Sequence, residues 1–150
     1  MIDKNVDYLA YIEKMDTKEI LPDVPRVLEY LKKKNIPIAL GSASKNARPI
    51  LEKVNLLSYF DSIVDGNSVT KAKPDPEVFL IAANNLGVNA SSCVVFEDAV
   101  AGIQAANSAK MISIGIGDSD TLDEAAYNFN DFTEISNSFL DSLLNNNQNK

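Results

Sequence analysis

Pro37-Ile38-Ala39-Leu40-Gly41-Ser42-Ala43-Ser44-Lys45-Asn46 is the stretch from which the fold can be read outward. Its short apolar run suits a strand buried on both faces, the habit of parallel sheets covered by helices. The glycine and serines end the run, and Asn46 can cap a following helix with Ile50, Leu51 and Val54 as its buried stripe. Upstream, Asp23-Val24-Pro25 opens a helix that tolerates Pro25 in its first turn and buries Val27, Leu28 and Leu31. Downstream, the same alternation continues. Ser62 to Asp65 reads as a strand, Pro76 to Leu86 as a helix stopped by Gly87, and Cys93 to Phe96 as a strand. Ala99 to Ala106 reads as a helix of small residues, and Met111 to Ile114 as a strand ended by Gly115. Phe132, Ile135, Phe139, Leu140 and Leu143 predict a last strand edge and helix, before a polar tail from Asn145 to Lys150. Before all of these, Val6, Leu9, Ala10 and Ile12 have helical spacing over about Lys4 to Met15. The alternation predicts an α/β fold of three layers, with a parallel sheet between helices.

Composition narrows the function classes. The 150 residues suffice for one domain with a real core. A net charge of −7 without a long basic run argues against a nucleic-acid or anionic-membrane surface. Lys32-Lys33-Lys34 reads as the basic end of a helix, offsetting its dipole. The single cysteine, Cys93, lies in an apolar run and reads as an inert buried thiol. There is no histidine, which removes the commonest general base and zinc ligand. No apolar stretch approaches membrane-spanning length, so a cytoplasmic protein is the expectation.

Three short motifs carry the chemistry. Ser42, with the backbone N–H groups of Ala43 and Ser44, could donate to phosphate oxygens at a helix start, and Lys45 and Asn46 add a charge and an amide. Taken alone, the segment reads better as an ordinary polar strand-to-helix turn with an Asn cap. Lys73, in Lys73-Pro74-Asp75-Pro76, is presented by a loop that the prolines stiffen. A fixed ammonium there could neutralise a transferring phosphoryl group, while Lys71 nearby reads as solvated. Glu97 and Asp98 end an apolar strand; adjacent carboxylates suit Mg2+, although Asp98 could simply cap the next helix. Gly102 would let that helix approach the sheet closely.

In that order, the motifs resemble those of the haloacid dehalogenase superfamily of aspartyl phosphotransferases, in its β-phosphoglucomutase branch. The Ser-Ala-Ser-Lys-Asn string and the Glu-Asp-x-x-x-Gly-Ile-x-Ala pattern favour that branch. The resemblance implies a Rossmann-like core in which Ser42 and Lys73 hold the transferring phosphoryl group and Glu97 and Asp98 help bind Mg2+. It implies that Ser44, Lys45 and Asn46, together with the Ser42–Ala43 turn, hold the rest of a sugar phosphate. The implied reaction interconverts β-glucose 1-phosphate and glucose 6-phosphate through an aspartyl-phosphate. A sugar-phosphate phosphatase, or a non-catalytic fragment binding phosphate and Mg2+, are the alternatives.

One part of the pattern has no match. The family's first, central strand carries an Asp-x-Asp pair, and no apolar strand ending in such a pair precedes Ile38. The resemblance therefore divides the chain into a remnant of cap helix and connection over 1–20, an incomplete core over 21–144 and a disordered tail over 145–150. Asp3 and Asp7 fall in the expected helix, so neither is assigned as nucleophile, and whether the chain is itself an enzyme stays open. Two interior strands would be left with unpaired backbone groups. The expectation is a closed-up sheet, or strand exchange in a homodimer, or complementation by an amino-terminal fragment.

Overall fold

The computed structural model describes residues 7–10, 23–42, 45, 47–53 and 55–148. Its strands are β1 (Asp7–Ala10), β2 (Ile38–Gly41), β3 (Ser62–Val64), β4 (Cys93–Glu97), β5 (Ile112–Ile116) and β6 (Tyr127–Phe129). Its helices are α1 (Val24–Lys33), α2 (Ala47–Lys53), α3 (Glu77–Leu86), α4 (Val100–Ser108) and α5 (Asn137–Gln148). The strands form one six-stranded sheet in the order β3-β2-β1-β4-β5-β6, and every pairing is parallel.

Alternation along the strands sorts the core onto two faces, because successive side chains point to opposite sides of a sheet. Ile38, Leu40, Val94, Phe96 and Ile114 face one layer with Leu28, Leu31, Leu140 and Leu143 from α1 and α5. Ala39, Cys93 and Val95 face the other, against Phe79 and Ala82 of α3 and Ala105 and Ala106 of α4. Alanines dominate that second layer, so α4 can lie close to the sheet. Burying side chains such as Leu28 and Leu31 contributes roughly 1.5–3 kcal/mol each. Pro25 occupies the first turn of α1, Lys32 and Lys33 its last, and Gly87 closes α3 with φ of 73°. Cys93 is buried, and its thiol donates to the Asn89 carbonyl at 3.4 Å.

The amino-terminal reading needs correction. Asp7–Ala10 is not helical: it is β1, the strand between β2 and β4, with Leu9 opposite both Ala39 and Val95. The sheet therefore neither closes up nor keeps an empty slot, and the central position is filled by the chain's own residues. The physical reason is non-local. Interior strands require hydrogen-bonding partners along both edges, and that demand outweighs a helical spacing of four apolar residues. Residues 7–10 thus belong to the core sheet; the rest of the expected cap remnant lies outside the described residues, as do Ala43, Ser44, Asn46 and Val54.

Two smaller differences have local causes. Gly115 does not end β5 but sits inside it, opposite Glu97 and Asn128. A Cβ there would lie 2.8 Å from the Asn128 amide nitrogen and 3.1 Å from Leu122 Cβ, so close packing is its reason. The last helix runs to Gln148, past the Asn145 at which the polar tail was expected, since Leu140 and Leu143 anchor it to the core.

Candidate functional site

The site lies at the carboxyl ends of the strands, where open parallel sheets place their ligands. β2 ends at Gly41, and Ser42 follows it, buried, with its N–H donating to the Val64 carbonyl at 2.8 Å. This bond ties the turn after β2 to the end of β3. Ser42 and Lys73 both line a cavity of about 200 Å3, together with Gly66, Val69, Thr70, Lys71, Ala72 and Val78.

Lys73 reaches inward from the loop before α3. Its Nζ donates to Glu97 Oε2 at 3.0 Å and lies 3.5 Å from the Gly41 carbonyl oxygen. It also sits 4.9 Å from the centre of the Phe79 ring, within cation–π range. Glu97, the last residue of β4, is buried. Its other oxygen, Oε1, accepts from the backbone N–H groups of Asp98 and Ala99 at 3.0 and 3.1 Å. Burial pushes the Glu97 carboxyl up to about 8; Lys73 pulls it back, and Asp98 adds to the rise.

Glu97 can occupy this place because of Gly102. A Cβ on Gly102 would fall 1.9 Å from Glu97 Cδ and 2.1 Å from Oε2. The small-residue character of α4 therefore serves the carboxylate as well as helix packing.

Asp98 does not cap α4. The cap position is Ala99, which makes no side-chain cap bond, and Glu97 takes the N–H groups of Asp98 and Ala99 that lead into the helix. Asp98 Oδ1 is buried and has no hydrogen-bond partner. An unsatisfied buried carboxylate oxygen beside a second carboxylate is the donor chemistry a hard cation takes, so these residues fit Mg2+ as part of an oxygen ligand set. They are part of a set only, since no group of three metal-ligating side chains occurs among the described residues.

The structure thus brings together Ser42, Lys73 and Glu97, with Asp98 adjacent. Lys45 is exposed in the turn before α2 and does not line the cavity. Sequence reasoning missed Phe79 under the Lys73 ammonium, and Glu77, whose first-turn position after Pro76 was the available signal. The central strand supplies no nucleophile among the described residues. Asp7 pairs with Cys93 at the start of β4, whereas Ala10 pairs with Phe96 next to the site end.

A serine and two carboxylates thus follow or end strands of a parallel α/β core, a loop lysine joins them, and known proteins resemble the chain in sequence and fold. Residues 2–110 match the family model for haloacid dehalogenase-like hydrolases, and the chain belongs to that family. It is 44% identical over 114 residues to β-phosphoglucomutase of Bacillus subtilis, covering 76% of this chain and 50% of that protein. It is 38% identical over 102 residues to a fructose-1-phosphate phosphatase of Escherichia coli, covering 68% of this chain and 54% of that one. A crystal structure of β-phosphoglucomutase from Clostridium difficile superposes with a TM-score of 0.83 at 35% identity, covering 91% of this chain and 61% of its own. The chain spans about half the length of these curated relatives. Among the described residues, no helix is long and apolar enough to cross a membrane.

Proposed function

We propose that this chain carries the phosphoryl- and cation-binding part of a β-phosphoglucomutase-type enzyme acting on a sugar phosphate. The observation that carries the reading is the buried Lys73–Glu97 pair beside Ser42, with Asp98 Oδ1 left without a partner. Lys73 and the Ser42 hydroxyl would hold the phosphoryl group, their charge and donors already oriented before the ligand arrives. Asp98, with Glu97, would hold Mg2+, which when bound neutralises phosphoryl charge. The exposed Lys45, with Ser44 and Asn46, would hold the far end of the sugar phosphate. Turnover by carboxylate attack needs an aspartate at the carboxyl end of the central strand, and β1 ends there in Ala10.

The experiment is a mutase assay with β-glucose 1-phosphate, on this chain alone and after adding an amino-terminal piece with an Asp-x-Asp strand. Activity only on mixing is expected, and the added strand would have to displace β1. Turnover by the chain alone would overturn the assignment of the missing nucleophile. Replacing Asp98 with Asn should weaken Mg2+ binding at least tenfold, roughly the loss of one charged ligand interaction. Unchanged affinity by calorimetry would reject Asp98 as a ligand. The similarity to a fructose-1-phosphate phosphatase supports a second reading, hydrolysis of a sugar phosphate. Release of inorganic phosphate without sugar-phosphate isomerisation in the mixed assay would favour it.

A further inference from the structure

Glu77 opens α3, where an acid ordinarily serves the helix dipole by facing its own first N–H groups. Its carboxylate instead turns to the preceding loop. Oε1 accepts from the Lys71 N–H at 2.6 Å and the Thr70 N–H at 2.9 Å. The Thr70 hydroxyl lies 3.2 Å from Oε1 and 3.1 Å from Oε2. The first residue of the helix thereby clamps a segment that ends two residues before Lys73. The other side of Lys73 is closed by a turn in which the Asp75 N–H donates to the Ala72 carbonyl at 3.1 Å. Asp75 Oδ1 then accepts from the Glu77 N–H at 3.0 Å, completing a ring of bonds around the lysine. The hydrogen bonds from Lys71 and Thr70 hold the Glu77 carboxyl below the usual carboxylate range, as expected of an acid that works in its charged form.

We propose that Glu77 is a positioning residue for Lys73: its carboxylate pins Thr70 and Lys71, and so holds the loop that delivers the ammonium to Gly41 and Glu97. The consequence for ligand binding rests on the reading of Lys73 as a phosphoryl ligand; the clamp itself does not. A helix-capping role alone would affect α3 and leave the loop indifferent. The clamp predicts the reverse, a local loosening that reaches Lys73.

The test compares Glu77→Ala and Glu77→Gln with the unaltered chain. Amide hydrogen exchange would be followed at Thr70 and Lys71, and reductive methylation at Lys73 by peptide mass spectrometry. Glu77→Ala should speed exchange at these two amides roughly tenfold, the loss of charge-assisted bonds to a partly exposed loop. It should also speed methylation of Lys73, whose side chain is only 10% exposed. Glu77→Gln keeps an acceptor oxygen and should recover most of the protection. Unchanged exchange, or faster exchange with unchanged methylation of Lys73, would overturn the proposal. So would equal acceleration throughout α3 and β4, which marks general destabilisation. Titration with inorganic phosphate and Mg2+ adds a separate arm: weaker binding by Glu77→Ala is expected. If the unaltered chain binds no phosphate, the phosphoryl-ligand reading fails, while exchange and methylation still decide the clamp.

Discussion

At the amino ends of the strands Lys32 lies 3.5 Å from Asp61, with side chains 47% and 41% exposed. At the carboxyl ends Lys73 lies 3.0 Å from Glu97, with side chains 10% and 0% exposed. Each pair stands beside a cavity of similar size, about 220 Å3 near Lys32 and about 200 Å3 near Lys73. Neither cavity volume nor the presence of an ion pair distinguishes the two ends. Burial does. Water screens Lys32 and Asp61, so their attraction is small, and Asp61 is occupied with the Ile38 N–H at 2.8 Å. Lys73 and Glu97 have little solvent to screen them, and the carboxyl group is pushed far from its ordinary value. The carboxyl end is the one where ionisable groups are kept from water, next to an unpartnered oxygen on Asp98.

The largest expected effect is on stability against pH in the ion-free chain. Glu97 has a folded-state value of about 8, above its ordinary 4.5, so the folded chain holds an extra proton between those limits. Its stabilising contribution is fully present below about 4.5 and is lost as pH rises through about 8, amounting to at most about 5 kcal/mol. Urea unfolding across that window should show the decline in the unaltered chain and a much flatter curve in Glu97→Gln. Parallel curves would remove the contrast between the two ends.

Next comes Lys73→Met, which keeps the aliphatic stem and removes the charge. At pH 9, where Glu97 is ionised, it should cost about 3 kcal/mol, because a buried carboxylate loses its partner. The loss should shrink near neutrality as Glu97 takes up a proton. Gly102→Ala follows, at about 2 kcal/mol: the new methyl displaces Glu97, while alanine's helix preference returns roughly 1 kcal/mol. Phosphate protection of Lys73 against methylation should fall in this variant even where the fold survives, which circular dichroism would report. The smallest effect is Lys32→Ala, below about 1 kcal/mol, with phosphate and Mg2+ affinities unchanged by calorimetry. A loss as large as that of Lys73→Met would mean that exposure does not separate the pairs.

Much of the architecture was legible because it is written locally. Apolar runs of strand length, Pro25 at a helix start and Gly87 at a helix end are properties of neighbouring residues, and each lies where it was read. Ser42, Lys73, Glu97 and Asp98 were legible as candidates, since polar groups that end apolar runs and a lysine ahead of two prolines stand out locally. Their division of labour was not. That Asp98 makes no cap bond was not written locally either: Glu97 takes the N–H groups of Asp98 and Ala99, just before α4. That in turn depends on Gly102 leaving room for the carboxylate, a contact between a strand and the next helix.

Sequence by itself determined that this chain alternates strands and helices and carries polar and acidic groups at strand ends, because periodicity, caps and residue chemistry act over a few neighbours. Tertiary structure alone decided that Asp7–Ala10 becomes the central strand, since the claim on those residues comes from the open edges of β2 and β4. It also decided that Lys73 meets Glu97 across 24 residues of chain, and that Asp98 Oδ1 is buried without a hydrogen-bond partner. Burial and hydrogen-bond satisfaction are settled between elements, and no local pattern contains them.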